Sequence, residues 1–229
     1  MQKHIYTYIQ FKPMISSDEI MGFRGAILNM IPDQVLFHNH IDTGFRYAYP
    51  LIQYKQINNH ACIVGIDKGV EALTELQGLC PMECALKDRI IKLEIESVQT
   101  ESFSLEIVEE DNTTSGSCYY YKLKDWLPLN QSNYRKYLQM PSLVSRIELV
   151  EHILIGNVIS FAGGIGHFID KNLFCDIISI DSQHKFYYKG VELQSMDITF
   201  RINLKLPPFI GLGKSASVGR GILYPIKKR

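Results

Sequence analysis

No run of apolar side chains in the 229 residues reaches the roughly 18 needed to cross a bilayer, and no leader-like segment opens the chain. A soluble protein with no membrane partner is expected. Net charge is zero, so the global basic excess of a nucleic-acid binder is missing and the question passes to how charge is distributed. The five cysteines, Cys62, Cys80, Cys84, Cys118 and Cys175, form neither an even disulfide set nor two close metal-ligand pairs. A reducing cytoplasm is the simplest compartment, and neither a metal site nor a cofactor is expected. Acidic residues run out first. From Arg201 to Arg229 there are seven Lys/Arg and no Asp/Glu, which makes the C-terminal end a basic patch on an otherwise acidic protein.

What is present reads as two small α+β units. His4 to Phe11 is rich in β-branched and aromatic residues, which predicts a strand. Ser16 and Glu19 have capping-box spacing, and Ile20, Phe23, Ile27, Met30 and Ile31 recur at helical spacing up to Pro32. Further strands are expected over 47–55, 61–66 and 90–98, with a turn at Asn58-Asn59 and a helix over 70–79. Residues 3–98 thus follow the order β-α-β-β-α-β, which is ferredoxin-like or RRM-like. The second half echoes it less clearly. Strands are expected over 103–108, 119–123, 173–180, 185–193 and 196–206, and Leu143, Ile147, Val150, Leu154, Val158 and Phe161 mark a long helix ending at Gly163-Gly164. With no low-complexity linker, the expected architecture is tandem ferredoxin-like units packed together, residues 1–99 and 100–229.

Gly211-Leu-Gly-Lys-Ser-Ala-Ser-Val-Gly-Arg-Gly221 is the densest cluster of glycine and charge. Four glycines let the backbone approach a ligand, Lys214 and Arg220 neutralise charge, and Ser215 and Ser217 can donate hydrogen bonds, so the loop suits phosphate. A Walker A loop is excluded, because the position five before Gly213 is Pro208. A dinucleotide fingerprint fails too, since only thirteen residues follow Ala216 and none is acidic. The plainer alternative is a glycine-rich connection that binds nothing.

His38-Asn39-His40 is the most suggestive group of side chains. Alternate residues of an extended segment share a face, and two imidazoles there can divide general-base and general-acid work near neutral pH. Arg46, Tyr47, Tyr49 and Lys55 are close enough in sequence to join them. The alternative is that both histidines decorate a solvated strand. His167 reads as a helix-end residue, and the Tyr119-Tyr120-Tyr121 run as packing more than as a base-stacking surface.

Taken with the tandem layout, the Gly-x-Gly-x5-Gly-x-Gly loop at Gly211, Gly213, Gly219 and Gly221, just before a last apolar strand, resembles the CRISPR-associated endoribonucleases that cut precursor transcripts into guide RNAs. The resemblance spans the whole chain in layout. It implies a loop lying against RNA through Gly211, Gly213, Lys214, Ser215, Ser217, Gly219, Arg220 and Gly221. It also implies metal-independent cleavage within repeats by attack of a ribose 2′-hydroxyl, with a cyclic phosphate left behind. A histidine after the first helix is common in that family, which places His38 and His40 as base and acid, with Arg46 or Lys55 on the phosphorane and Tyr47 alongside. The family often has a tyrosine on or near that first helix; residues 17–31 have none. The implied partners are a repeat transcript and a CRISPR effector complex. Two other classes remain open: an RNA-retaining subunit of the same fold that does not cut, and a nucleotide-binding enzyme using the glycine loop.

Overall fold

The computed structural model describes residues 2–31, 40–41, 44–45, 49–108, 118–188 and 191–226. The chain divides into two units, one of residues 1–104 with 217–219 and one of residues 105–216 with 220–229.

In the first unit, β1 (His4–Met14) leads through a short 3-10 turn (Ser17–Glu19) into α1 (Ile20–Met30). The capping-box pair is in place, with the Ser16 amide donating to Glu19 Oε2 at 2.8 Å. Arg89 donates to both carboxylate oxygens of Glu19, at 2.9 and 3.1 Å. The Ser16 amide bond, followed by the Arg89 bonds, holds the Glu19 carboxyl below its ordinary range despite some desolvation. After the two-residue strands β2 (His40–Ile41) and β3 (Gly44–Phe45) come β4 (Ile52–Ile57) and β5 (His60–Ile66). The turn between these two sits on Asn58 and Asn59, both in the left-handed region that a two-residue hairpin requires. Then follow α2 (Lys68–Leu79), β6 (Met82–Leu86), β7 (Arg89–Leu93) and β8 (Ile95–Phe103).

The main sheet runs β4-β5-β1-β8 with every pair antiparallel, which is the ferredoxin-like order. Alternation along the strands sends Ile9, Phe11, Ile52, Tyr54 and Ile63 to one face, where they bury with Phe23 and Ile27 of α1 and Leu73 and Leu76 of α2. The opposite face carries Tyr6, Tyr8, Gln53, Lys55 and Cys62, all buried as well.

The second unit repeats the plan. β9 (Tyr119–Trp126) is followed by α3 (Gln131–Gln139), α4 (Leu143–Gly164), the long hairpin β10 (Cys175–Tyr188) and β11 (Val191–Ile202), and finally β12 (Ile222–Ile226). The sheet order β10-β11-β9-β12 is the same ferredoxin order, strand for strand. No helix stands between β11 and β12, where the first unit has α2. Residues 203–221 fill that place, and their two prolines and four glycines are poor material for a helix. By length and composition alone, α4 is apolar enough to cross a membrane. One of its faces is nevertheless buried through Val150, Leu154, Val158 and Phe161. It ends in a Schellman motif, with Gly166 N–H on the Gly163 carbonyl and His167 N–H on the Ala162 carbonyl. His167 is a helix-end residue.

The structure corrects several expected elements. The strand over 90–98 is two strands, because β7 pairs with β6 while β8 pairs with β1. Residues 104–108 are not a strand, although Ile107 bridges to Leu204. The three strands expected over 173–206 are the two long strands β10 and β11, paired from Cys175–Ile202 to Tyr188–Val191.

Candidate nucleic-acid interface

The glycine loop is built mostly to satisfy itself. Leu212 N–H donates to the Gly221 carbonyl at 2.9 Å, Leu223 N–H to Ile210 at 2.9 Å, and Gly221 N–H to Asp125 at 3.1 Å. Gly213 has φ +83°, and a Cβ there would stand 2.7 Å from Asn157 Oδ1 and 2.8 Å from the indole nitrogen of Trp126. Those two groups already bond each other at 2.9 Å, so the loop wraps over a buried tryptophan with no space for a side chain. Gly211, Gly219 and Gly221 are buried. Arg220 is ion-paired with Asp125, whereas Lys214 is exposed and Ser215 and Ser217 are half-exposed. The loop therefore offers solvent one lysine and two serines, and most of its glycines answer to packing.

Ser217–Gly219 belongs with the first unit. The Tyr54 amide donates to the Ser217 carbonyl at 2.8 Å, and Val218 bridges Tyr54 in parallel, so the loop adds a short strand at the β4 edge of the sheet. Gly219 sits against Ile20 at the start of α1. The Tyr54 ring meets Phe23 edge-on with centroids 5.9 Å apart, and its hydroxyl is buried without a hydrogen-bond partner among the described residues. Burial pushes the Tyr54 phenol up, against a smaller opposing pull from Arg24. Loop, helix and edge strand thus converge on Tyr54, next in sequence to Lys55.

Lys55 is the one residue of the expected catalytic set whose side chain is described, and it is fully buried. In register it lies opposite Cys62, whose thiol is 3.1 Å from the Tyr8 hydroxyl. Gln53, on the same face, donates to the Tyr49 hydroxyl at 2.8 Å. A cation meant to neutralise a phosphorane needs access to it, and this amine is sealed from solvent. Desolvation pushes it down to about 7. His40 is placed by its backbone in β2 opposite Phe45. His38, Arg46 and Tyr47 lie outside the described residues.

The Lys55 amine has a consequence for stability. The unfolded chain keeps a lysine proton up to about pH 10.4, while the folded chain releases it near 7. Between these values the unfolded state binds more protons, so this group makes stability rise with pH; its full penalty is present below 7 and gone above the unfolded value. Lys55→Met removes that slope. Urea denaturation at pH 6.5 and 9.5 should show wild type gaining about 2–3 kcal/mol relative to the variant. Parallel profiles would mean that the amine stays charged in the fold.

Sequence reasoning missed the burial of Lys55 and the pairing of Arg220 with Asp125, a contact across 95 residues of sequence. It also missed the seat of the loop on β4. Each depends on strands brought together by the fold, and nothing local signals it. Among the described residues no three His, Cys, Asp or Glu side chains come together as a metal-ligating group.

Comparison with known proteins agrees with this architecture. The Cas6b N-terminal domain family matches residues 2–104, and the Cas6b C-terminal domain family matches residues 113–226. A crystal structure of Cas6b is similar with a TM-score of 0.84 at 23% identity, over 98% of this chain and 100% of that one. A CRISPR RNA processing endoribonuclease Cas6b is similar with a TM-score of 0.73 at 20% identity, again over 98% and 100%. An uncharacterized protein of Methanocaldococcus jannaschii is 24% identical over 120 residues, which is 52% of this chain and 80% of that protein. Tandem ferredoxin-like units are the shared fold.

Proposed function

The chain belongs to the Cas6b family, a family of CRISPR repeat-processing endoribonucleases, and from that premise we propose that it binds a repeat-containing precursor RNA and cuts it within each repeat without a divalent metal. The ribose 2′-hydroxyl next to the scissile phosphate is the nucleophile. The products are a 2′,3′-cyclic phosphate and a free 5′-hydroxyl. A base takes the 2′ proton, an acid protonates the departing 5′ oxygen, and hydrogen bonds and cations stabilise the phosphorane. His38 and His40 are assigned the proton transfers, with Arg46 and Tyr47 beside them. Lys55 acts from behind the sheet surface, not on the phosphate. Lys214, Ser215 and Ser217 hold the RNA backbone, and Arg220 contributes through its anchor on Asp125.

The observation that carries this reading is the seat of the glycine loop. Ser217–Gly219 lies along β4 and against the start of α1, the helix that the His38 and His40 segment follows in sequence. A labelled repeat transcript incubated with the protein in excess EDTA should be cut to discrete fragments. Cutting that appears only when magnesium or manganese is added would reject the mechanism. Retained binding with no product in either condition would leave an RNA-holding subunit.

A further inference from the structure

We infer that the outer face of the second sheet is a separate platform for single-stranded RNA, on which unpaired bases stack against Tyr120 and Tyr224. This rests on the RNA-binding part of the reading above, but it concerns residues outside the glycine loop and the histidine segment. The tyrosine run divides by face. Tyr121 and Leu123 point into the core, where the Tyr121 hydroxyl accepts from Leu206 N–H at 2.7 Å and its phenol is pushed up to about 12 by burial. Tyr120, Lys122 and Lys124 point the other way and are half-buried or exposed.

Register assembles the rest of the face. Tyr120 stands between Arg201 of β11 and Ile226 of β12, and Lys122 between Thr199 and Tyr224. Arg201 lies 5.2 Å from the Phe174 ring and bonds Asp176 at 2.6 and 2.8 Å. Lys124 lies 5.1 Å from the Tyr224 ring, which Phe209 meets edge-on at 5.4 Å. Lys122 pairs with Asp181 at 3.0 Å. Asp197 also lies on this face and accepts from the Asp125 amide at 2.7 Å, so with Lys122 and Arg201 paired, Lys124 beside Tyr224 is the cation without an ion pair among the described residues.

Aromatic rings interleaved with cations on the open face of a four-stranded antiparallel sheet match a base stack and its phosphates. Each base has a π-face, and the cations follow the backbone. Ile226 and Ile178 are 41% and 53% exposed, and they add apolar surface on which ribose can rest. An acidic protein would use only the cations of this face, whereas a base stack uses aromatic surface as well.

The test uses the full chain and a fluorescein-labelled ten-nucleotide RNA of mixed sequence, without structure and without any repeat, titrated by anisotropy. Tyr120→Ala and Tyr224→Ala should each weaken binding about tenfold, the scale of one lost base–aromatic stack. Tyr224→Phe should bind within twofold of wild type, because the ring face is kept. Lys124→Ala should lower the slope of log affinity against log salt by about one. If an alanine variant melts early, leucine at the same position keeps the bulk and lacks the ring, and should still lose about tenfold. The inference is overturned if the alanine or leucine variants bind within twofold of wild type. It is equally overturned if heparin, a polyanion without bases, loses affinity in parallel with the RNA. Because the oligonucleotide contains no repeat, failure here leaves repeat cleavage untouched, and failure of repeat cleavage leaves this binding measurable.

Discussion

Replacing His38 and His40 together by alanine should lower single-turnover cleavage of a repeat transcript by about 10²-fold or more, with RNA affinity within a few-fold of wild type. Attack by a 2′-hydroxyl at neutral pH needs one group to accept a proton and another to give one up. Histidine is the side chain whose ordinary pKa suits both tasks. His38 stands two positions before His40 in the sequence, and the backbone at His40 is a strand residue paired with Phe45. With both assigned to proton transfer, either imidazole should stand in for the other, so single variants should lose less than the pair. A pH dependence of cleavage near neutrality should disappear in the double variant. Cleavage within a few-fold of wild type would remove the pair from the mechanism and shift suspicion to Tyr47.

Gly221→Ala should cost on the order of 3–5 kcal/mol of folding stability, a sum of steric overlap and backbone strain. Gly221 has φ +57°, and the Leu212 carbonyl occupies the place a Cβ would take. The obstruction is main chain, so no rotamer change relieves it. The Leu212 N–H to Gly221 carbonyl bond of 2.9 Å and the Gly221 N–H to Asp125 bond of 3.1 Å would both have to shift. Lys214→Ala, on an exposed position of the same loop, should leave stability within about 0.5 kcal/mol and weaken RNA binding instead. Urea denaturation of the two variants separates the packing role of the glycines from the binding role of the loop. A Gly221→Ala protein as stable as wild type would mean that the loop opens without cost to the fold.

Local signals carried much of the fold. Pro32 and the Ser16–Glu19 spacing bracket α1, Asn58-Asn59 marks the β4–β5 turn, and Gly163 to Gly166 marks the end of α4. Each is a statement about backbone angles or capping that a short stretch makes by itself. The misses are segments whose composition argues against their structure. In β10 the polar run Asp181-Ser-Gln-His184 reads as a break between strands, yet the strand passes through it because β11 pairs along it. α3, Gln-Ser-Asn-Tyr-Arg-Lys-Tyr-Leu-Gln, has too little apolar periodicity to be recognised, though Asn130 caps it by accepting from Asn133 N–H at 2.8 Å. Met82 to Leu86 lacks β-branched residues, and the β6–β7 hairpin was lost with it.

The candidate site was legible as residue types and illegible as geometry. The glycine loop stands out by composition, but the Tyr54 to Ser217 bond that seats it and the neutralisation of Arg220 by Asp125 join positions 163 and 95 residues apart. Lys55 illustrates the limit most sharply. Beside Tyr54 and Gln56 in a strand it looks like a surface cation, and only sheet order places it in the interior opposite Cys62.

The central claim is that the RNA's own 2′-hydroxyl is the nucleophile. It is tested most directly by comparing two otherwise identical repeat RNAs, one carrying a single 2′-deoxy residue on the 5′ side of the cut, under single-turnover conditions in excess EDTA. The account predicts cleavage of the all-ribose RNA to a product ending in a 2′,3′-cyclic phosphate. It predicts no detectable cleavage of the deoxy RNA, which should still bind with unchanged affinity and compete for the enzyme. Cleavage of both RNAs at similar rates, or cleavage of either only after magnesium is restored, would contradict it.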